Sequence, residues 1–248
     1  MHGTTDDQTI RAIADRLAYL RGLDERKAAV GSAIEAQGKL TDELSAAIEN
    51  AQTLAEVEDI YRPYKQKRRT RATIAREKGL APLAELLLSQ TVTSGTLEAL
   101  AAPYVNEEKE VMSTNDALAG AGDIIAETIS DDAAIRAALR RLYRTRGVLW
   151  AKAATDEDSV YRLYYDYREP VSRVQGHRVL AVNRGEREGM LKAGVEIEDA
   201  LALQEIRRAV FRGISISNAF VNACCEDAWR RLIEPSAAVS YTHLRAHE

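Results

Sequence analysis

Eight basic side chains stand between Tyr61 and Leu80: Arg62, Lys65, Lys67, Arg68, Arg69, Arg71, Arg76 and Lys78, against the single acid Glu77. Cations at that density contact phosphates, and Tyr61 and Tyr64 at the edge of the run carry flat faces on which bases can stack. A second concentration follows in Tyr161, Tyr164, Tyr165 and Tyr167, leading into Arg168, Arg173, His177, Arg178, Arg184 and Arg187. Each has a plainer reading. The basic run can be a solvated surface, or a face that pairs with acidic helices of the same chain. Tyrosines spaced i, i+3 and i+4 pack in cores, and for Tyr161 and Tyr165 that reading is preferred. Composition leaves the two readings of the basic run close to even.

The overall charge conceals this patch. The 248 residues hold 34 Lys+Arg and 38 Asp+Glu, a net charge of −4. The window 61–80 alone is +7, so the remainder sums to −11. Because screening cuts off distant charges within ~10 Å, the local field decides whether a polyanion is held.

Other chemistries find little support. The chain has no P-loop and no GxGxxG. Its four histidines are His2, His177, His243 and His247, and His177 has no neighbouring Ser or Cys nucleophile, so it reads as structural or phosphate-facing. Paired acids (Asp6/Asp7, Asp131/Asp132, Asp156 to Asp158) sit at helix starts or in loops, where capping explains them. The adjacent Cys224 and Cys225 make neither a disulfide framework nor a four-ligand zinc site. On a helix they point ~100° apart, one expected buried and one half-exposed. No catalysis, cofactor or metal is expected. No apolar run approaches the ~20 residues of a membrane helix and the start lacks signal-peptide character, so a soluble, cytoplasmic protein is expected.

The elements that must position these residues are mostly helical. A capping box at Thr5 to Gln8 precedes Ile10, Ile13, Leu17 and Leu20 at helical spacing, with Val30 and Ile34 continuing to a stop at Gly38. Thr41 opens a short helix through Leu44 and Ile48. A second box, Thr53 to Glu56, opens another that carries Val57, Ile60 and Tyr61 and stops at Pro63. Thr70 can cap a short helix ending at Gly79, and Pro82 begins the next. The helix 115–129 contains Gly120 and Gly122, which predicts close packing against a neighbouring backbone. In the following helix, to Arg146, Ile135, Leu139 and Leu142 form the expected buried face. Arg136, Arg140 and Arg144 form a stripe read as solvated. Arg178 to Val182 and Met190 to Ile197 flank a glycine-bearing turn and read as a small β-hairpin. Helical spacing returns over 198–232.

Two stretches carry a family resemblance: Asp59-Ile60-Tyr61-Arg62-Pro63-Tyr64-Lys65-Gln66-Lys67-Arg68-Arg69-Thr70 and Ile74-Ala75-Arg76-Glu77-Lys78-Gly79-Leu80-Ala81-Pro82-Leu83. Supporting ones are Leu17 to Leu20, Gln37 to Thr41, Ala117 to Ala121 and His177 to Glu186. From about Asp6 to Ser236 the chain resembles the N-terminal region of the bacterial transcription accessory protein Tex family. The resemblance implies an elongated, helix-rich scaffold that binds nucleic acid, RNA especially, without strong sequence preference. It also implies a fragment, since family members precede this region with a further helical segment and continue into a YqgF-type domain, helix-hairpin-helix units and an S1 domain. Residues 237–248 depart from the family and resemble translated sequencing-adapter read-through.

The expectation is therefore a mainly α, elongated multi-helix scaffold with one β-hairpin near 178–197. Residues 1–170 form a helical region, and 171–236 hold the hairpin and later helices. The expected function is non-catalytic, sequence-nonspecific binding of RNA or DNA. Arg62, Lys65, Lys67, Arg68, Arg69 and Arg71 contact phosphates in this reading, helped by Arg178 and Arg184. The alternative is a protein-interaction or intramolecular scaffold within the transcription machinery that binds no nucleic acid.

Overall fold

The recurrence of an apolar residue every three or four positions becomes helix over most of the chain, and the fold is mainly α with one small antiparallel sheet. The computed structural model describes residues 7–65, 69–156 and 159–237. The capping box at Thr5, and Lys67 and Arg68 of the basic run, lie outside the described residues, as does the segment from 238 onward. The chain divides into two units, Met1–Lys67 and Arg68–Glu248.

In the first unit, α1 (Asp7–Glu35), α2 (Asp42–Asn50) and α3 (Leu54–Tyr61) enclose a small core of Leu23, Val30, Ile34, Ile48, Ala51 and Val57. Gly38 adopts φ +65°, the left-handed geometry that lets the chain turn after α1. The hydroxyls of Thr41 and Thr53 accept from the backbone N–H of Leu44 and Glu56, so both expected caps form. Only the second half of α1 is used by this core. Ile10, Ile13, Leu17 and Leu20 are all exposed, although they share the helical spacing of the buried residues.

The second unit is built on α7 (Thr114–Asp131), whose Ala117, Ala121, Ile124, Ile125, Ala126 and Ile129 are buried. Around it pack α4 (Arg71–Glu77), α5 (Ala81–Ser89) and α6 (Leu97–Ala101). A Cβ added at Gly120 would lie 2.4 Å from Leu80 Cδ1, so the glycine admits a side chain rather than the backbone anticipated. Next, α8 (Ala133–Arg146) starts at an Asp132 cap that accepts from Ile135 N. Its buried face is Ile135, Leu139 and Tyr143, while Leu142 is half-buried.

The expected solvated arginine stripe is corrected at Arg136. That side chain is buried and donates to Ser130 O, Ser130 Oγ and Ser236 Oγ. Its charge turns inward because polar oxygens meet it there.

The sheet comprises β1 (Val148–Ala153), β2 (Asp166–Pro170) and β3 (Leu191–Glu196), in the order β2-β1-β3 with antiparallel pairings throughout. This corrects the hairpin expected near 178–197. Residues 178–182 lie in α9 (Gly176–Arg187), and β3 pairs with β1 instead. Val179 and Val182 are buried while Leu180 is exposed, a helical rather than alternating pattern that a four-residue apolar run cannot declare by itself. Gly185 lets α9 lie close on β3, since a Cβ there would approach Leu191 Cδ1 to 2.6 Å.

The chain then forms α10 (Asp199–Val210) and α11 (Asn218–Asp227), the latter continued by a π-helical turn over Ala228–Ile233. Trp229 is fully buried and its indole N–H donates to Asp199 Oδ1 at 3.0 Å. Both cysteines are buried, not one. Burial pushes the Cys224 thiol up to about 12 and Cys225 to about 11, which keeps both protonated at neutral pH.

Candidate nucleic-acid interface

The basic run begins where α3 ends. Pro63 cannot continue the α-helical ladder, and the chain passes into a 3₁₀ turn over Arg62–Tyr64. Gln37 Nε2 donates to Tyr64 O at 2.9 Å, tying this turn back to the end of α1. Tyr61 and Tyr64 pack against the core of the first unit rather than standing clear of it, and Arg26 lies over the Tyr61 ring at 5.5 Å. Arg62 is half-buried. Lys65 is exposed and stands 3.9 Å from Glu58, a loose pair because Glu58 already accepts from Arg26 Nε at 2.6 Å.

Arg69 and Arg71 open the second unit. Thr70 caps α4, its hydroxyl accepting from Thr73 N at 3.0 Å. The same hydroxyl donates to Glu127 Oε1 on α7, and Arg76 Nη1 donates to Glu127 Oε2 at 2.6 Å. Glu127 is buried, so it fixes the cap and the end of α4 to the central helix. Sequence reading missed this residue. Its signal was an acid inside the apolar stripe of α7, beside Ile124, Ile125 and Ile129.

Among the described residues the run's cations differ sharply in what holds them. Arg76 is spent on Glu127, and Lys78 donates to Glu110 O at 3.0 Å. Arg69 pairs with Glu77 at 2.7 Å, but both side chains are more than half exposed. Arg71 is exposed and makes no ion pair within 4 Å among the described residues. It sits in the first turn of α4, where a helix disfavours positive charge. It attracts Asp123 at longer range. That carboxyl is raised by burial, with Arg231 and Arg71 pulling it back down.

Arg178 and Arg184 both lie on α9 and both meet carboxylates of the fold. Arg178 Nη1 donates to both oxygens of Glu169, at 2.9 and 2.8 Å, and the Tyr167 hydroxyl donates to the same carboxylate. These donors, Tyr167 foremost, hold the Glu169 carboxyl below its ordinary range. Burial, aided by that bond, pushes the Tyr167 hydroxyl up to about 12. Arg184 Nε donates to Glu188 at 2.9 Å, and Tyr161 donates to the other oxygen at 2.8 Å. Tyr161 is a core residue of this corner and Tyr165 packs beside it, as their spacing suggested. His177 is exposed at the first turn of α9.

Nothing among the described residues gathers three or more His, Cys, Asp or Glu side chains as a metal site. No described helix is long and apolar enough to cross a membrane.

Against known proteins, residues 93–244 match the family described as Tex central region-like. The chain is 41% identical over 239 residues to the uncharacterized protein YdcI of Bacillus subtilis, covering 94% of this chain and 33% of that one. It is 42% identical over 205 residues to the protein YhgF of Escherichia coli, covering 79% and 26%. It is 41% identical over 199 residues to the transcriptional accessory protein Tex of Neisseria gonorrhoeae, again covering 79% and 26%. The chain thus spans a quarter to a third of the length of these relatives.

Proposed function

The chain belongs to the Tex central region-like family, and from that premise we propose that it is part of a cytoplasmic transcription accessory protein. In this reading it binds nucleic acid, RNA in particular, without sequence preference and without catalysis. The phosphate contacts come from Arg62, Lys65, Lys67, Arg68, Arg69 and Arg71.

The observation that carries this reading is the imbalance inside the basic run. The window 61–80 holds +7, yet Arg69 and Arg71 are exposed at the start of α4, and Arg69 has a solvent-exposed acid, Glu77, beside it. A weak surface pair yields readily to phosphate, because exposed ion pairs contribute about 0–1 kcal/mol. Arg178 and Arg184 are lesser contributors, since each is already engaged by a carboxylate.

Salt-titrated binding of a single-stranded RNA to the full chain tests the proposal. Changing Lys67, Arg68 and Arg69 together to Ala is expected to weaken binding and to flatten the log–log salt slope by about 2, at roughly 0.7 per neutralised phosphate on single strands. Unchanged affinity and slope overturn it.

A second reading is favoured by a specific set of contacts. Arg69–Glu77, Arg76–Glu127 and Lys78–Glu110 show three of the run's cations beside acids of the same unit. On that reading the segment is a scaffold that docks on the transcription machinery. The chain then shows no salt-dependent RNA affinity for the triple variant to lose.

A further inference from the structure

We propose that the outer face of the three-stranded sheet is a second nucleic-acid contact, a platform on which a base of single-stranded RNA stacks against Trp150. It is separate from the basic run and involves none of its residues.

The sheet has two unlike faces. Alternation along β1 sends Leu149 and Ala151 inward, where both are buried, and sends Trp150 and Lys152 the other way. In register on that outer side stand Arg168 of β2, opposite Trp150, and Lys192 of β3, opposite Lys152. Trp150 is the centre of this face, and its cross-strand neighbour on β3 is Gly194. A Cβ added at Gly194 would lie 3.0 Å from each of Trp150 Cε2, Cζ2 and Nε1. Equal approach to three ring atoms means that the indole lies flat on the glycine backbone. One face of the ring covers Gly194 and the opposite face looks away from the sheet. The residue is half-buried, and its N–H makes no hydrogen bond among the described residues.

The charges around the ring favour an anion. Lys152 and Lys192 are exposed, directly opposed across the β1–β3 ladder, and neither makes an ion pair among the described residues. Like charges directly opposite weaken a sheet, so the pair costs stability unless an anion lies between them. Arg168 is matched by Glu196, and Asp166 stands opposite Lys152 across the β1–β2 ladder, which leaves Lys192 without an acid opposite it among the described residues and the patch net positive. A flat, half-buried aromatic beside two exposed ammonium groups that outnumber the one acid opposite them suits a nucleotide unit, its base on the indole and its phosphate on the lysines.

The chain reports on this face directly, because it has two tryptophans and Trp229 is fully buried. Titrating the full chain with oligoadenylate is expected to quench tryptophan emission saturably, with Trp150→Leu abolishing the change. By anisotropy of labelled oligonucleotide, Trp150→Leu is expected to bind about tenfold more weakly and Trp150→Phe within about threefold, since Phe still stacks. Lys152→Glu with Lys192→Glu, exposed changes that leave the core untouched, is expected to weaken binding by a similar factor.

Binding seen by anisotropy at saturation, without quenching and with full affinity in Trp150→Leu, overturns this inference and leaves the basic run standing. Quenching by heparin equal to that by oligoadenylate overturns it too, since a base is then not required. Loss of affinity in the Lys67, Arg68 and Arg69 variant with persistent quenching at high oligonucleotide concentration supports the platform as an independent contact.

Discussion

Arg69 at the start of α4 and Arg178 on α9 are alike in sequence: each belongs to a basic stretch beside tyrosines. In the fold they part. Arg178 makes two bonds to Glu169, whose carboxylate also accepts from Tyr167, and the three groups tie α9 to β2. Arg69 meets Glu77 in the open, with 68% of its side chain accessible. The lesson is that a positive stretch becomes a binding surface through what the fold leaves unused. Arg76 and Lys78 are in the basic run by count, yet they serve α4 and its neighbours. Arg71 is in the run and remains available.

The sharpest way to break this division is Arg76→Ala. It removes the charged donor from the buried Glu127 carboxylate, which keeps the Thr70 hydroxyl, and the expected cost is about 2 kcal/mol, lowering the melting temperature by about 5 °C. RNA affinity, measured on the folded variant, is expected to stay within about twofold. A large affinity loss without a stability loss would place Arg76 with the binding cations. Arg178→Ala is the next test, with a smaller drop in melting temperature and again an affinity within about twofold of the parent. An affinity loss matching that of the basic-run variants would return Arg178 to the interface.

Arg69→Ala should do the reverse. Its stability is expected within about 0.5 kcal/mol of the parent, as for an exposed pair. Its RNA salt slope is expected to fall by about 0.7. The smallest effect concerns pH. Glu169 is held below its ordinary range in the fold, so its contribution is present above the unfolded carboxylate pKa and is lost as pH falls through the lower, folded value. Thermal melts from neutral to acid pH should show a loss that Glu169→Gln shares only in part. Identical acid limbs would remove Glu169 from that account.

Much of the helical framework was legible from residue order. Thr41, Thr53, Thr70 and Asp132 each cap the helix that their position announced, because a cap depends on atoms within three residues. Gly38 and Gly79, both at positive φ, close the segments they were expected to close. The sheet was not legible in the same way. β3 was found, but its partner is β1, some forty residues earlier, and 178–182 became helix. A four-residue apolar run fits either period, and the packing of Val182 against Leu191 and Tyr161 distinguishes them.

The sequence alone determined the helical character, the concentration of positive charge over 61–80 and the family resemblance, since each rests on composition or local spacing. Tertiary structure alone decided which cations are consumed. Arg136 turned inward to Ser130, Arg76 to Glu127 and Arg178 to Glu169, all across gaps that no local pattern encodes. It also decided that Trp150 lies flat on Gly194 with two lysines beside it, because strand register brings together residues some forty positions apart. Charge can be counted along a chain, but whether it is neutralised depends on what the fold places within hydrogen-bonding reach.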